Sequence, residues 1–301
     1  MATSDPERAP AATPEAPDRQ GVPAAAATRP GLRSPQAVLA LQRAAGNRAT
    51  TRALSRTIEM RDVGKGEQSG FARLGEVVDR LSSLSPTLFY EMAGSKLTYR
   101  DSGLDTPSAF DKQMMALIDR DELVPLRLTN RHGLLGDRKN GFHVGVDGDA
   151  FASAYVDVDD LLACDDLGFE LLLVHFLTER AVTKNYAKRI GIDDPAKGGF
   201  TNAEFQRSHG KGNQAEVKLL QDFLGDPTIK LISDSEGPAF RVFRNSRGDV
   251  IREIEHPGKG DQRGVEADTV EVTLKGGKTK LTVEEYKARL DGERALAPAA
   301  P

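Results

Sequence analysis

Leu171-Leu-Leu-Val174-His175-Phe176-Leu177 lies in a segment running from Leu167 to about Val182, and its reading decides the fold. Apolar residues surround this segment almost completely. A helix that is apolar all round belongs inside a protein, with other elements packed on every side. Asp165-Asp166 supplies a cap at its start. Upstream, Ala154, Val156 and Val158 alternate with Tyr155, Asp157 and Asp159, the pattern of a half-buried strand. That strand ends in Asp159-Asp160, which can cap a helical turn at Leu161-Leu162.

Further out, Phe71, Leu74, Val77, Val78, Leu81 and Leu84 form a helical stripe that stops before Pro86. A second helix begins at Thr106-Pro107 and carries Phe110, Met114, Leu117 and Ile118 on one face. Residues 87–90 and 96–99 flank Met92-Ala-Gly-Ser95 and predict a hairpin, and Leu126 and Leu128 mark a further short strand. Toward the C-terminus, residues 240–243 and 250–254 surround the turn Asn245-Ser-Arg-Gly248-Asp249. Residues 269–274 and 280–281 surround Gly276-Gly277 in the same way. Thr282-Val-Glu-Glu285 is a capping box that opens a last helix through Leu290. The expected class is α+β, with helices and antiparallel hairpins mixed around the buried central helix. A disordered N-terminal leader and a short C-terminal tail complete it.

The 301 residues, 39% hydrophobic and 29% charged, are enough for one large or two small domains. The net charge of −4 argues against a nucleic-acid binder that relies on a strong positive field. An apolar run of about 18 residues, the minimum for a membrane span, is not found. Cys164 is the only cysteine, which rules out an internal disulfide and a cysteine zinc cluster, and it is read as a small buried apolar residue.

Four segments follow. Residues 1–33 are rich in Ala, Pro, Arg and acids and hold almost no large apolar groups, so they are expected to be disordered, as is the tail at 294–301. The body spans 57–293. Between leader and body, at 34–56, lies a short helical motif, Val38-Leu-Ala-Leu41-Gln42-Arg43-Ala-Ala-Gly46-Asn47-Arg48-Ala49. Val38, Leu41, Ala45, Ala49 and Ala53 recur at spacings of three and four, one face of an amphipathic helix that Gly46-Asn47 would kink.

This motif resembles the Leu-Gln-Arg-x-x-Gly-Asn-x-Ala signature of proteins linked to bacterial extracellular contractile injection systems, where it precedes toxin, peptidase or unassigned domains. Leu41, Gln42, Arg43, Gly46, Asn47 and Ala49 fit, while Thr50 stands where an apolar residue is usual. Parts of the body, such as Leu128-Thr-Asn-Arg-His-Gly-Leu134 and His175-Phe-Leu-Thr-Glu179-Arg180, are similar to uncharacterised domains that accompany the motif. The resemblance implies a cargo or effector whose partners are components of the injection particle, contacted through Leu41, Gln42, Arg43, Gly46 and Asn47. The start Met1-Ala-Thr-Ser-Asp5 lacks the basic and apolar regions of a secretory signal, so the expected location is the bacterial cytoplasm or the particle itself.

Chemistry concentrates on the central helix. His175 and Glu179 are four residues apart and share a face, and neither can stay unpaired in a buried position. The order His-x-x-x-Glu is similar to the His-Glu-x-x-His helix of zinc peptidases, but it departs from that pattern twice. Phe176 replaces the general base and Glu179 replaces the second histidine. His209 and Glu216 lie further on, seven residues apart, with Gly210 and Gly212 nearby. A helix that persists through both glycines puts them on one face. Alternatively, Asn213 caps a new helix and His209 sits at the break.

In either geometry His175, Glu179, His209 and Glu216 suit Zn²⁺ or another divalent transition ion, with Glu179 also a candidate catalytic base. The competing reading is a buried ionic network completed by Arg180, Lys184 or Arg189. His132 and His143 flank a polar loop that could approach the same cleft, and His256 is expected at the surface. Two functions stay open: a divergent metal-dependent, peptidase-like hydrolase, or a non-catalytic binding or assembly module of the particle.

Overall fold

A computed structural model describes residues 58–62, 71–103, 106–129, 151–234, 241–257 and 266–296. The leader, the motif at 34–56, His132, His143 and the residues beyond 296 lie outside the described residues.

The central helix forms as its sequence predicts. This helix, α4, is Asp166–Val182, and Leu171, Leu172, Leu173 and Leu177 are each almost completely buried on it. Each such leucine contributes about 1.5–3 kcal/mol of hydrophobic stabilisation. Around it stand α1 (Phe71–Leu84), α2 (Ala109–Ile118), α3 (Val158–Ala163), α5 (Tyr186–Arg189), α6 (Asn202–Leu224) and α7 (Val283–Leu296). The last helix runs beyond both Leu290 and the expected body boundary at 293.

Two five-stranded sheets flank these helices. In the first, β1 (Ile58–Asp62), β2 (Leu88–Ala93), β3 (Lys96–Asp101), β4 (Val124–Thr129) and β5 (Tyr155–Asp157) lie in the order β2-β3-β1-β4-β5. The β2–β3 hairpin is the one expected. The pairs β1–β4 and β4–β5, however, are parallel, so antiparallel hairpins do not account for this sheet. Parallel neighbours need a long crossover, and the chain between β1 and β4 supplies one through α1, the hairpin and α2. Val124, Leu126 and Leu128 on β4 are accordingly buried.

The second sheet is an antiparallel meander in the order β10-β9-β8-β7-β6. Its strands are β6 (Lys230–Asp234), β7 (Arg241–Arg244), β8 (Val250–Pro257), β9 (Glu266–Thr273) and β10 (Lys280–Thr282). Asp165 clamps it to the start of α4. One carboxylate oxygen accepts from the Gly168 amide at 2.7 Å as the helix cap, and the other accepts from the Val270 amide on β9 at 2.8 Å. A single core cluster joins both sheets to α4 and α6. Among the described residues, no helix is long and apolar enough to cross a membrane.

Candidate metal centre

Helix α6 lies along α4 and brings the site together. It is continuous for 23 residues, opened by a capping box between Thr201 and Glu204 and closed by Gly225 in the left-handed region at φ 62°. Asn213 is therefore in mid-helix and caps nothing. Gly210 and Gly212 weaken the helix by about 1 kcal/mol each relative to alanine, so tertiary contact has to hold it. Gly212 makes that contact possible: a Cβ there would lie 2.7–2.8 Å from three atoms of the His175 ring. No atom lies within 4 Å of a Cβ built at Gly210.

Where the helices meet, His175 Nε2 is 3.0 Å from His209 Nδ1 and 3.4 Å from Glu179 Oε2, and His209 Nδ1 is 3.7 Å from the same oxygen. Ligand atoms on a tetrahedral ion with bonds of about 2.0–2.1 Å stand about 3.3–3.4 Å apart, a value these three separations bracket. The donors are two imidazole nitrogens and a carboxylate oxygen, and Glu179 Oε2 has no hydrogen-bond partner among the described residues. The cluster can hold a metal ion.

Both histidines have a carboxylate on the opposite ring nitrogen. His175 Nδ1 is 2.8 Å from Glu216 Oε1, within ion-pair range although off the line of a hydrogen bond. His209 Nε2 is 3.0 Å from Asp234 Oδ2, which also accepts from Asn213 Nδ2 at 2.6 Å. Outer carboxylates of this kind fix the tautomer and aim the other nitrogen at a metal. Farther in, Arg241 on β7 lies 3.1 Å from Glu216 and 3.3 Å from Glu253. Arg180 holds Glu179 Oε1 at 2.9 Å.

The His175 and Glu179 side chains are each 1% exposed, whereas His209 and Asp234 are 24% and 33% exposed, so the cluster meets solvent on the α6–β6 side. With imidazoles neutral, four carboxylates (Glu179, Glu216, Asp234, Glu253) against two guanidiniums (Arg180, Arg241) leave a formal charge of −2.

The titrating histidines respond to this excess of negative charge by holding protons more tightly. The Asp234 carboxylate, then Glu179, raises the His209 pKa to about 9 despite partial burial. Asp234 is correspondingly lowered to about 2 by His209. Burial opposes the charge on Glu179, but its contacts with both imidazoles and Arg180 overcome this and lower it to about 2. His175 is shifted upward: burial, the largest effect, and Arg241 would depress it, and Glu216 and Glu179 together outweigh them. Burial raises Glu253 to about 7 in spite of Arg241.

Of the four residues the sequence nominates as ligands, the structure brings His175, Glu179 and His209 together. Glu216 stands outside the triangle, on the far nitrogen of His175. Arg180 joins the cluster, while Arg189 pairs instead with Glu204 at 2.9 Å. His256 is exposed and bonded to Thr269. Cys164 is buried, and burial pushes its thiol pKa up. Sequence reasoning missed Asp234, Asn213, Arg241 and Glu253. Comparison with family models, curated proteins and solved structures finds no match for this chain.

Two tests follow from this geometry. Gly210→Ala, in open space, is expected to raise stability in urea titration by up to about 1 kcal/mol. Gly212→Ala, which must displace the His175 ring, is expected to lower it by about 1–3 kcal/mol. Equal effects at the two positions would contradict the close approach.

In metal-free protein, the raised pKa of His209 favours the fold fully below its ordinary 6.5, and this contribution is lost as pH rises through about 9. Melting temperature should therefore fall over that window in the wild type, and the fall should be smaller in His209→Gln. Parallel profiles would refute the assignment.

Proposed function

We propose that the body carries a mononuclear zinc centre with His175 Nε2, Glu179 Oε2 and His209 Nδ1 as ligands, and that it works as a divergent, peptidase-like hydrolase. The observation that carries this is the convergence of three acceptors on one point. Asp234 is a hydrogen-bonded, ionised acceptor, so the His209 proton sits on Nε2, and the charge of Glu216, 2.8 Å from His175 Nδ1, favours the His175 proton on that nitrogen. The inward nitrogens then present lone pairs beside an anionic oxygen, and only a cation satisfies all three.

Three protein ligands of N, N, O type match catalytic rather than closed structural zinc sites. An ion held there would supply Lewis acidity, lowering the pKa of water and polarising a substrate carbonyl. The chain's own groups position it. Arg180 donates to Glu179 Oε1 and holds the carboxylate with Oε2 toward the two imidazoles, the orientation of a ligand rather than of a free base. Glu216 and Asp234 orient the two rings, and Arg241 neutralises Glu216 deep inside.

The N-terminal motif supports the wider reading. On its resemblance, the protein is a cargo or effector of an extracellular contractile injection system, with the body as the delivered part. A second reading has its own support. With its pKa near 9, His209 can fill the same gap with a proton, and the body is then a non-catalytic binding or assembly module.

Metal content separates the two. Protein purified without a histidine tag and equilibrated with Zn²⁺ should retain about one ion per chain, the stoichiometry of a single three-ligand site. The ion should be lost in the His175→Ala, His209→Ala double variant, and circular dichroism should show that variant still folded. Folded wild-type protein without stoichiometric zinc would overturn the metal centre. The address is tested separately: deleting residues 34–56 should abolish co-purification with injection particles while the body stays folded. Retained association would overturn the docking role.

A further inference from the structure

Beside the cluster, at the C-terminal end of α4, lies a recess of about 210 Å³ lined by Val182, Thr183, Lys184, Arg207, Ser208 and Lys211, with Glu204 at its margin. Its charge is one-sided. Lys184, Arg207 and Lys211 are exposed, and neither Lys184 nor Arg207 has an ion-pair partner among the described residues. Lys211 Nζ donates to the neutral Gln214 at 2.9 Å. The one acid, Glu204, is already held by both terminal nitrogens of Arg189, at 2.9 and 3.0 Å. Three cations thus meet at one hollow in a chain whose net charge is −4. Without a counter-ion they repel one another, and a bound anion removes that repulsion.

The recess is fixed relative to the candidate ligands. Its floor is the buried pair Thr183 and Ser208, whose hydroxyl oxygens are 2.7 Å apart. The Thr183 hydroxyl donates to the Glu179 carbonyl at 2.7 Å, so the bridging proton comes from Ser208. Ser208 is also the neighbour of His209. One hydrogen-bond chain therefore links the floor to the backbone of one candidate metal ligand and adjoins another. Both floor hydroxyls spend their protons inside it, and recognition of a guest falls to the three cations on the rim.

We propose that this recess is a subsite for an oxyanion group, phosphate or carboxylate, carried by the substrate. Binding there would hold the substrate beside the cluster through charge-assisted contacts with Arg207, Lys211 and Lys184. That role in positioning rests on the proposed zinc centre, whereas binding of the anion does not.

The test is calorimetric titration of metal-free, full-length protein with inorganic phosphate and, separately, with acetate. Saturable binding of at least one anion is expected, and the tighter of the two identifies the substrate group. Replacing two rim cations, in Arg207→Ala with Lys211→Ala, should weaken it about tenfold or more, since charge-assisted contacts are lost. Lys96→Ala with Lys230→Ala removes the same charge from exposed strand positions that do not line the recess and should change binding less than about twofold, because exposed charges at a distance are screened. The absence of saturable binding, or equal losses in the two double variants, would overturn the subsite. Zinc content, read on separate portions of the same proteins equilibrated with Zn²⁺, keeps the hypotheses apart. Anion binding without zinc removes the metal centre and leaves the subsite, and zinc without anion binding does the reverse.

Discussion

The architecture depends on keeping one ionised carboxylate, Glu179, inside a buried and mostly apolar helix. A lone buried carboxylate costs several kcal/mol, so its two oxygens must be answered by positive or donating groups. Arg180 answers Oε1 from the same helix. The other oxygen faces His175 and His209, and each histidine passes the demand on to a second carboxylate. Glu216 in turn requires Arg241, and Arg241 leads to Glu253. A single charge on α4 has in this way recruited residues from α6, β6, β7 and β8. The second sheet is attached to the helical core by this polar chain as well as by the apolar cluster.

That chain explains a helix that is poor by its own composition. Helix α6 carries two glycines in its interior and little apolar surface at its start, so local propensity does not favour it. Caps at both ends and burial of its inner side chains against α4 compensate. The glycine at 212 is where the stability of the helix gives way to the site, because a methyl group there would occupy the space of the His175 ring. Local rules are expected to fail at such positions, and the failure points to function.

Legibility in the sequence divides along the same line. Helix α4 could be read from its continuous apolar composition, and His175 with Glu179 from their spacing, because both signals are local. The β2–β3 hairpin and the two closing hairpins, β7–β8 and β9–β10, were legible from turn residues between alternating runs, whereas β6 and the β8–β9 pairing that join them into a meander were not. Parallel pairing of β1 and β5 with β4 was not, since the partners are far apart in sequence and each strand is short. Asp234 reads as the end of a polar strand, and nothing near it announces His209. Arg241 and Glu253 look like exposed alternating charges of a hairpin, yet both face inward. The persistence of α6 was one of two open geometries, and what decides it is Gly212 against His175, a contact between residues 37 positions apart.

The outer carboxylates bear on whether a proton or a metal is the natural occupant. A structural ion pair between Glu179 and one imidazole needs only those two groups. Here both imidazoles are backed by acids on their remaining nitrogens, an arrangement that makes the inward nitrogens more basic and holds their direction. It also drives the formal charge of the cluster to −2, farther than one proton on His209 can cancel. Neutrality without a metal requires a second proton, which Glu253, raised to about 7, or His175, also shifted upward, must take. A divalent ion achieves the same balance at one point, between three atoms already spaced for it, and lets both protons go. The geometry and the charge count thus favour the same occupant.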